Sequence, residues 1–475
     1  MRLPDDPTEL GALAALEALA AGRLSAAAYV EALLARASAE RVLNAFVALD
    51  PERTRAAALA SDARRAAGTA RPLEGLPLAV KDNIDVAGWV TTAGTPALRA
   101  HRPARTAPVL ERLLDAGALV LGKNTLHELA HGTTSENAAF GPVRNPYDPA
   151  RVPGGSSGGT AAAVAARLAP AGIGTDTGGS VRIPAALCGI AGFRPSSGRY
   201  PQDGIVPISH TRDTAGLLAR SVGDLALLDA TVAGERAPLE AVGLRGLRLG
   251  VPRAVFYHGL DAALAAVIED ALAALARAGV VLVEADVAGL EAQGGRVAGI
   301  LSDYEFPRDL ARYLAAGGSG LTLEDVVAGL AGADLRETFA HELQGPRAPT
   351  EAAYRDALEV GRPAIQAMFR EHFRSQAVEA IVFPTTALPA RPIGTGPEIE
   401  IGGKRVKAFL ADLRNPRPAT VAGLPALSVP VGLTPAGLPV GLELDGPAGR
   451  DRRLLAIGAA VAAAFAPLPP PPRHC

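Results

Sequence analysis

Cysteine, methionine and tryptophan are scarce in this chain of 475 residues, which contains two, two and one of them. The two cysteines, Cys188 and Cys475, can form one disulfide bridge at most, which excludes a disulfide-stabilised scaffold. Cys188 lies between apolar neighbours, so we expect a buried and unreactive thiol. This composition is typical of a cytoplasmic protein, which is the location we expect.

The sequence also lacks a surplus of either charge and any long hydrophobic run. Its formal net charge is −2, so nothing predicts binding to nucleic acid or to an anionic membrane. The apolar stretch at residues 455–468 is too short to cross a bilayer. The first residues contain two adjacent aspartates and no apolar segment, and we expect no signal peptide. The expected partners are therefore small molecules.

Lysine is rare, because almost all of the 47 basic residues are arginines. The lysines are Lys81, Lys123, Lys404 and Lys407. A buried lysine can lose its proton and act as a base, whereas arginine stays charged. Lys81 follows the apolar run 76–80, which predicts burial at the end of a strand. Lys81 is therefore a candidate base.

The remaining pattern alternates short apolar runs with longer amphipathic segments, which is typical of an α/β protein. We find no internal repeat or linker, although the length would allow several domains. We predict strands at residues 72–80, 118–121, 171–175, 247–251, 280–284, 380–383, 426–431 and 440–444. We predict helices at residues 107–116, 125–131, 159–168, 217–232, 262–278 and 352–373.

Two glycine-flanked serine clusters bracket the alanine-rich helix predicted at 159–168. The first is GGSSGG, with Ser156 and Ser157, and the second is DTGGS, which ends at Ser180. Glycine allows tight turns and close approach to the backbone. A serine after such a turn presents its hydroxyl beside exposed N–H groups, as a nucleophile with an oxyanion hole requires. The pair of clusters favours acyl transfer over two ordinary polar loops.

Two other catalytic patterns compete with this interpretation. His127, Glu128 and His131 form H-E-x-x-H, which on a helix would bind zinc and support a peptidase. The spacing G-x-S-x-G around Ser156 would suit a Ser-His-Asp hydrolase, with His210 and Asp213 as the nearest partners, but a turn-rich loop rather than a strand precedes it. A non-catalytic subunit of a larger assembly is a third alternative.

Several long segments together resemble the amidase signature family. They are GLPLAVKDNIDV around Lys81, PGGSSGG, GIGTDTGGSVRIPAALCGIAGFRP, HTRDTAGLLARSV, AGLPALSVPVG and GLPVGLEL. The sequence of these segments is most similar to the mandelamide and indoleacetamide hydrolases, and less similar to the glutamine-using subunit of the tRNA-dependent amidotransferases. The resemblance implies one large α/β/α domain over residues 1–475, with a mixed central sheet covered by helices on both faces. Its parts would be a helical segment (1–70), the signature core (71–235) and a part containing the substrate pocket (236–475).

The resemblance also implies a Ser-Ser-Lys triad that needs no metal or organic cofactor. Ser180 would be the nucleophile, Ser156 the bridging acid and base, and Lys81 the final proton acceptor. The peptide bond before Ser156 would be cis. The oxyanion hole would use the backbone N–H groups of Thr177, Gly178, Gly179 and Ser180. Around the triad, we expect structural roles for Ser157, Asp176 and Arg182.

The implied function is hydrolysis of a small carboxylic amide to an acid and an amine or ammonia. Carbamate (urethane) or ester hydrolysis on the same triad is the alternative, because these compounds present the same carbonyl group. For substrate binding we expect Ala130, Gly132, Thr133 and Tyr304, and we expect the segments 131–137 and 300–314 to line the pocket. The rings of Tyr304 and Phe306 line either the pocket or the core. We expect a monomer or a homodimer.

Overall fold

A computed structural model of the protein describes residues 4–235, 237–401 and 403–474. Its central feature is a sheet of eleven strands. The strands of the described residues are β1 (Phe46–Leu49), β2 (Pro77–Lys81), β3 (Leu119–Asn124), β4 (Ala171–Asp176), β5 (Ala191–Arg194), β6 (Thr214–Ala219), β7 (Arg248–Gly250), β8 (Val281–Val283), β9 (Ala380–Pro384), β10 (Glu398–Ile401), β11 (Lys404–Lys407), β12 (Ala426–Leu433) and β13 (Pro439–Asp445).

Helices fill most of the chain between these strands. In chain order they are α1 (Ala12–Ala20), α2 (Ala26–Ala39), α3 (Pro51–Ala66), α4 (Pro108–Asp115), α5 (Gly158–Ala165), α6 (Arg182–Leu187), α7 (Val222–Ala233), α8 (Arg253–Phe256), α9 (Ala262–Arg277), α10 (Leu290–Ala316), α11 (Leu323–Ala328), α12 (Ala333–Thr338), α13 (Glu351–Asp356), α14 (Arg362–Gln376), α15 (Ala408–Leu413), α16 (Arg417–Ala422) and α17 (Asp451–Ala462).

The sheet is mixed, with strand order β1-β3-β2-β4-β6-β5-β12-β13-β9-β7-β8. Strand β2 runs parallel to its neighbours β3 and β4, and β7 runs parallel to β8 and β9. The other neighbouring strands pair antiparallel. Because β2 and β4 are parallel, their carboxyl ends lie at the same edge of the sheet, where sites of α/β proteins usually form.

Helices cover both faces of the sheet, as β12 illustrates. Leu427 and Ser428 are successive residues of a strand, so their side chains point to opposite faces. On one face, α17 packs so closely that a side chain at Gly458 would collide with Leu427. On the other face, a Cβ at Gly441 of the neighbouring strand β13 would lie 2.5 Å from Ala186 of α6. The predicted mixed sheet with helices on both faces is confirmed.

Some predicted elements differ from the observed ones. The helix predicted at 217–232 begins only at Val222, because Thr214–Ala219 is a buried strand that pairs with β4 on one side and β5 on the other. The predicted helix at 352–373 is divided into α13 and α14 by a π-helical turn, Ala357–Gly361. The strands β1, β5, β10 and β11, of four residues each, were not predicted.

The central sheet takes strands from all three predicted parts of the chain: β1 from 1–70, β2 to β6 from 71–235 and the rest from 236–475. The single domain stays a prediction that this shared sheet supports. Within the described ranges, no helix has the length and the apolar character needed to cross a bilayer.

Helix α5 packs against backbone at its first turn, which gives a stability prediction. A Cβ at Gly159 would lie 2.3 Å from the carbonyl oxygen of Thr125 and 2.6 Å from that of Ala45. Since backbone cannot move aside as a side chain can, we expect Gly159→Ala to lower the free energy of unfolding by about 1–3 kcal/mol. Calorimetry of the purified variant measures this as a lowered Tm.

The matched control for this prediction is Gly396→Ala, because no atom lies within 4 Å of the Cβ position there. We expect its effect to stay within about 0.5 kcal/mol. Equal Tm values for the two variants would show that the first turn of α5 is not tightly packed.

Candidate active site

Lys81 is the last residue of β2 and is completely buried. Its Nζ lies 2.8 Å from the Oγ of Ser156 and 2.6 Å from Thr175 Oγ1 near the end of β4. The side chain amide of Asn83 also donates to Thr175 Oγ1, at 3.1 Å. The parallel pairing of β2 and β4 thus brings a lysine and two hydroxyl groups together at one edge of the sheet.

Burial lowers the pKa of Lys81 to about 7, while the negative charges of Asp176 and Asp213 partly oppose this shift. Asp82, the next residue along the chain, forms an ion pair with Lys123 at 3.0 Å, and both side chains are buried. Lys123 is therefore a paired structural cation, whereas Lys81 is surrounded by hydroxyl groups. Lys81 can therefore be neutral near neutral pH.

Ser156 lies in the loop before α5, and its preceding peptide bond, Gly155–Ser156, is cis, as the resemblance implied. Its carbonyl oxygen accepts hydrogen bonds from the His127 N–H at 3.3 Å and from Ser135 Oγ at 3.3 Å. The Gly158 N–H in turn donates to Ser135 Oγ at 3.1 Å. These bonds fix the loop on both sides of Ser156, so its hydroxyl stays beside Lys81.

Ser157 connects the two glycine–serine clusters through its backbone. Its N–H donates to the carbonyl oxygen of Ser180 at 3.1 Å, which places the second cluster next to the first. Its hydroxyl donates to the carbonyl oxygen of Thr175 at 3.3 Å and does not cap α5. Ser157 thus holds strand β4 and the Ser180 turn against the loop of Ser156.

The turn that carries Ser180 is built around the carboxylate of Asp176. The carboxylate accepts hydrogen bonds from the Gly179 N–H at 3.0 Å and the Val181 N–H at 3.2 Å. Arg182 binds both of its oxygens, at 3.0 and 3.1 Å. Although burial works to raise the pKa of Asp176, the charges of Arg182 and Arg194 hold it well below its usual range. Asp176 and Arg182 therefore brace the turn, and Arg182 also binds Glu443.

The predicted oxyanion hole lies at this turn, with one of its donors already engaged. The Gly179 N–H, which we expected to face the substrate, donates to Asp176. The hydroxyl of Thr177 donates to Asp213 at 2.5 Å, and the carbonyl oxygen of Thr177 accepts a hydrogen bond from Arg212 at 2.9 Å. Asp213 and Arg212 thus hold the start of the turn from its outer side.

A cleft opens over Ser180 and is lined by residues from five parts of the chain. They are Ala130, His131, Gly132, Thr133, Thr177, Gly178, Ser180, Ile208, Arg212, Ala298, Gly299, Ser302, Asp303, Phe409, Leu413 and Arg417. Three of the expected substrate-binding residues, Ala130, Gly132 and Thr133, are in this set. The fourth, Tyr304, is not among the described lining residues and instead stacks on Tyr354, with ring centres 4.2 Å apart.

An aromatic stack forms one wall of the cleft. The ring of His131 lies between those of Phe306 and Phe409, with centre-to-centre distances of 5.3 and 5.6 Å. Burial and the nearby His127 lower the pKa of His131 to about 4, so the ring is neutral at neutral pH. Phe306 is fully buried behind this ring, and of the two roles left open for it the structure gives it the core.

The helix that the zinc interpretation needs is absent, and that prediction was wrong. Glu128–Ala130 is a single 3-10 turn in which Leu129 has φ of 49°, so His127 and His131 do not share a helix face. The Glu128 carboxylate instead accepts hydrogen bonds from the backbone N–H groups of Ala331 and Gly332, at 3.0 and 2.7 Å. Gly132 directly after the motif was the sequence signal against a helix.

The alternative Ser-His-Asp arrangement is also not formed by the described residues. His210 is half-exposed, and its Nδ1 lies 2.9 Å from Asp309. Asp213 accepts hydrogen bonds from Thr177 and from the N–H groups of Ile208 and Ser209.

Cys188 is buried as predicted, and burial raises the pKa of its thiol far above the usual range. The other cysteine, Cys475, lies outside the described residues.

Among the polar residues of the site, Thr175, Arg212 and Arg417 were not predicted, and Asp303 was not singled out within the segment 300–314 that we expected to line the pocket. Thr175 is a polar residue in the otherwise apolar strand β4, which is a usable signal. Arg212 follows the second cluster by a long loop, and only the fold brings it to Thr177. Asp303 and Arg417 lie on separate helices of an arginine-rich and acidic region, where no local pattern distinguishes them.

Comparison with known proteins agrees with this geometry. The family described as Amidase matches residues 28–455. The chain is 46% identical to the indoleacetamide hydrolase of Agrobacterium vitis over 91% of this chain and 92% of that protein. It is 41% identical to the mandelamide hydrolase of Pseudomonas putida over 92% and 87%. The solved structure of native peptide amidase from Stenotrophomonas maltophilia matches with a TM-score of 0.84 at 32% identity, covering 98% of this chain and 99% of that one.

Because the chain matches these amide hydrolases over most of its length, the protein is an amidohydrolase, an enzyme that acts on carbon–nitrogen bonds of linear amides. The chain belongs to the amidase signature family. The resemblance stated from the sequence motifs is thereby confirmed, including its likeness to the indoleacetamide and mandelamide hydrolases.

Proposed function

We propose that the protein hydrolyses the amide of a small arylacetic or related carboxylic acid through an acyl-enzyme on Ser180. The contact between Lys81 Nζ and Ser156 Oγ, at 2.8 Å within a fully buried site, is the observation that carries the proposal. The acyl group is chosen because curated relatives that match most of the chain are named indoleacetamide hydrolase and mandelamide hydrolase. The apolar and aromatic walls of the cleft suit an aryl group.

In the proposed reaction, Ser180 Oγ attacks the carbonyl carbon and passes its proton to Ser156, whose own proton passes to Lys81. Lys81 can accept it because burial lowers its pKa to about 7, so that about half of the amine is neutral at that pH and more of it above. The carbonyl π electrons move onto oxygen, and backbone N–H groups at Thr177 and Gly178 stabilise the negative charge. Collapse of this intermediate breaks the C–N bond, and the proton returns through Ser156 to the leaving nitrogen.

Water then attacks the acyl-enzyme by the same relay. One water proton moves through Ser156 to Lys81, and the C–O bond to Ser180 breaks as Ser180 regains a proton. The products are a carboxylic acid and ammonia or an amine. Every proton taken by Lys81 is returned within the cycle, so no external cofactor is required.

The acyl-enzyme gives a direct test, because hydroxylamine competes with water for it. We expect turnover of indole-3-acetamide or mandelamide with hydroxylamine to give the corresponding hydroxamic acid as well as the acid. Mass spectrometry of the products measures their ratio. Hydrolysis that yields only the acid at every hydroxylamine concentration would contradict the acyl-enzyme and favour direct attack by water.

Carbamates and esters form a second candidate substrate class on the same residues. Three glycines, Gly132, Gly178 and Gly299, are among the residues that line the cleft with Ser180. An aryl carbamate and an aryl ester belong in the same assay. A higher kcat/KM for the carbamate than for the amides would assign the protein to urethane hydrolysis.

A further inference from the structure

Asp303 places a carboxylate in the wall of the cleft that contains Ser180. It lies on α10, whose neighbouring residues Ala298, Gly299 and Ser302 line the same cleft. In the described part of the chain, no side chain or backbone group forms a hydrogen bond or ion pair with this carboxylate. Asp309, less than two turns further along α10, shows the contrast, since it accepts a hydrogen bond from the His210 N–H at 2.8 Å.

Glycines open the face of α10 that carries Asp303. Gly295, Gly299 and Asp303 are four residues apart and therefore lie along one side of the helix. A Cβ at Gly299 would lie 3.9 Å from Asp303 Oδ2, and a Cβ at Gly295 would lie 3.8 Å from Arg417 Nη1. The side chains of Asp303 and Arg417 thus lie beside glycines, which have no side chains to cover them. Both charged groups therefore face the cleft.

The two arginines near Asp303, Arg212 and Arg417, differ in the structural contacts that they make. Arg212 uses its guanidinium on the carbonyl oxygens of Thr177 and Ala298 and on the hydroxyl of Thr420. Arg417 makes one long contact, 3.5 Å to the carbonyl oxygen of Gly295. Burial raises the pKa of Asp303 to about 6, Glu342 adds to this shift, and Arg212 and Arg417 oppose it. Asp303 is thus mostly ionised at neutral pH but only partly solvated.

A partly buried acceptor of this kind gains most from a ligand that donates a hydrogen bond to it. A hydrogen bond to a charged group contributes more than one between neutral groups. A cationic substrate group is disfavoured, because Arg212 and Arg417 already supply positive charge beside the carboxylate. A neutral O–H or N–H group fits both conditions.

We propose that Asp303 determines specificity by accepting a hydrogen bond from an O–H or N–H group on the acyl part of the amide substrate, beside Arg417. This inference rests on the proposed function, since it concerns the acyl group that Ser180 would receive. Asp303 takes no part in the proton transfers. Asp303 therefore affects the preference among amide substrates and not the ability to hydrolyse an amide.

The test compares matched substrates that differ by one donor. Mandelamide is paired with phenylacetamide, which lacks the hydroxyl, and indole-3-acetamide with naphthalene-1-acetamide, which lacks the N–H. For at least one pair, we expect the wild type to prefer the donor-bearing amide by roughly 10- to 100-fold in kcat/KM. In Asp303→Ala the preference falls below about threefold, because kcat/KM falls more for the donor-bearing amide than for the donor-free one.

Two further variants separate the hydrogen bond from a general disturbance of α10. Asp303→Asn keeps an acceptor oxygen without charge, and we expect an intermediate preference. Asp270→Ala, at an exposed position of α9, should keep the full preference. A preference that survives in Asp303→Ala, or a wild type that prefers neither donor-bearing amide, would overturn the inference alone. Failure of the wild type to hydrolyse any of the four amides would overturn the proposed function with it.

Discussion

Replacing Ser180 by alanine is expected to lower kcat/KM for amide hydrolysis by roughly 10³- to 10⁶-fold. Without the Oγ there is no atom to form the acyl-enzyme, and the remaining rate comes from binding and from the N–H groups of the turn. The structure of the turn should survive, because Asp176 holds it through the backbone N–H groups of Gly179 and Val181. The measurement is steady-state hydrolysis with indole-3-acetamide or mandelamide.

The control for this variant is Ser38→Ala, at an exposed position of α2. We expect wild-type kcat/KM from it and a Tm close to the wild type for both variants. If Ser180→Ala kept more than about a tenth of the activity, Ser180 would not be the nucleophile, and Ser156 would be the next residue to replace.

Lys81→Met should reduce kcat/KM by an amount comparable to that of Ser180→Ala, because the relay loses its final proton acceptor. In the proposed reaction the neutral amine is the active form, so we expect the wild type to lose activity as pH falls through the pKa of Lys81 at about 7. We expect log kcat/KM to rise with a slope of about one below that pH and to level off above it. Initial rates between pH 5 and 9 measure this profile.

Lys81→Arg is the matched test of the role of deprotonation. Arginine keeps the positive charge and some of the length but does not lose its proton in this pH range. We expect it to be inactive at every pH, with no rise above pH 7. An active Lys81→Arg enzyme would show that a fixed charge, and not a base, is what the site needs.

The pH dependence of the unfolding free energy is a second test of the pKa of Lys81. The pKa of Lys81 is lowered by folding, so the unfolded chain binds the proton more tightly than the folded one between pH 7 and 10. The wild type should therefore gain up to about 1.4 kcal/mol of unfolding free energy per pH unit over this window, relative to Lys81→Met. Equal pH dependence for the two proteins would mean that the folded lysine keeps its usual pKa.

The groups that we propose to react were chosen from signals in their local sequences. Lys81 follows an apolar strand, and the glycine turns around Ser156 and Ser180 have few structural uses. Strand pairing between β2 and β4 then brings the lysine and the first serine to 2.8 Å. These residues depend on short-range patterns, which a single sequence records.

The substrate cleft was less predictable, because it depends on contacts between distant segments. Asp303 and Arg417 are 114 residues apart in the numbering and meet only through the packing of α10 against α16. Tyr304 was expected in the cleft, but the helical turn directs its neighbour Asp303 there and Tyr304 against Tyr354. A helix places adjacent residues about 100° apart, so an error of one residue changes the surface that a side chain faces.

The alternation of side chains at the end of β2 has a consequence for which insertions and deletions the enzyme tolerates. Lys81 and Asp82 are adjacent, yet one side chain faces Ser156 and the other forms an ion pair with Lys123. Removing one residue within β2 would put the Asp82 carboxylate where Lys81 lies, and adding one would put the apolar side chain of Val80 there. Length variation should therefore be found in the exposed hairpin of β10 and β11, where Lys404 and Lys407 are exposed, and not in β2.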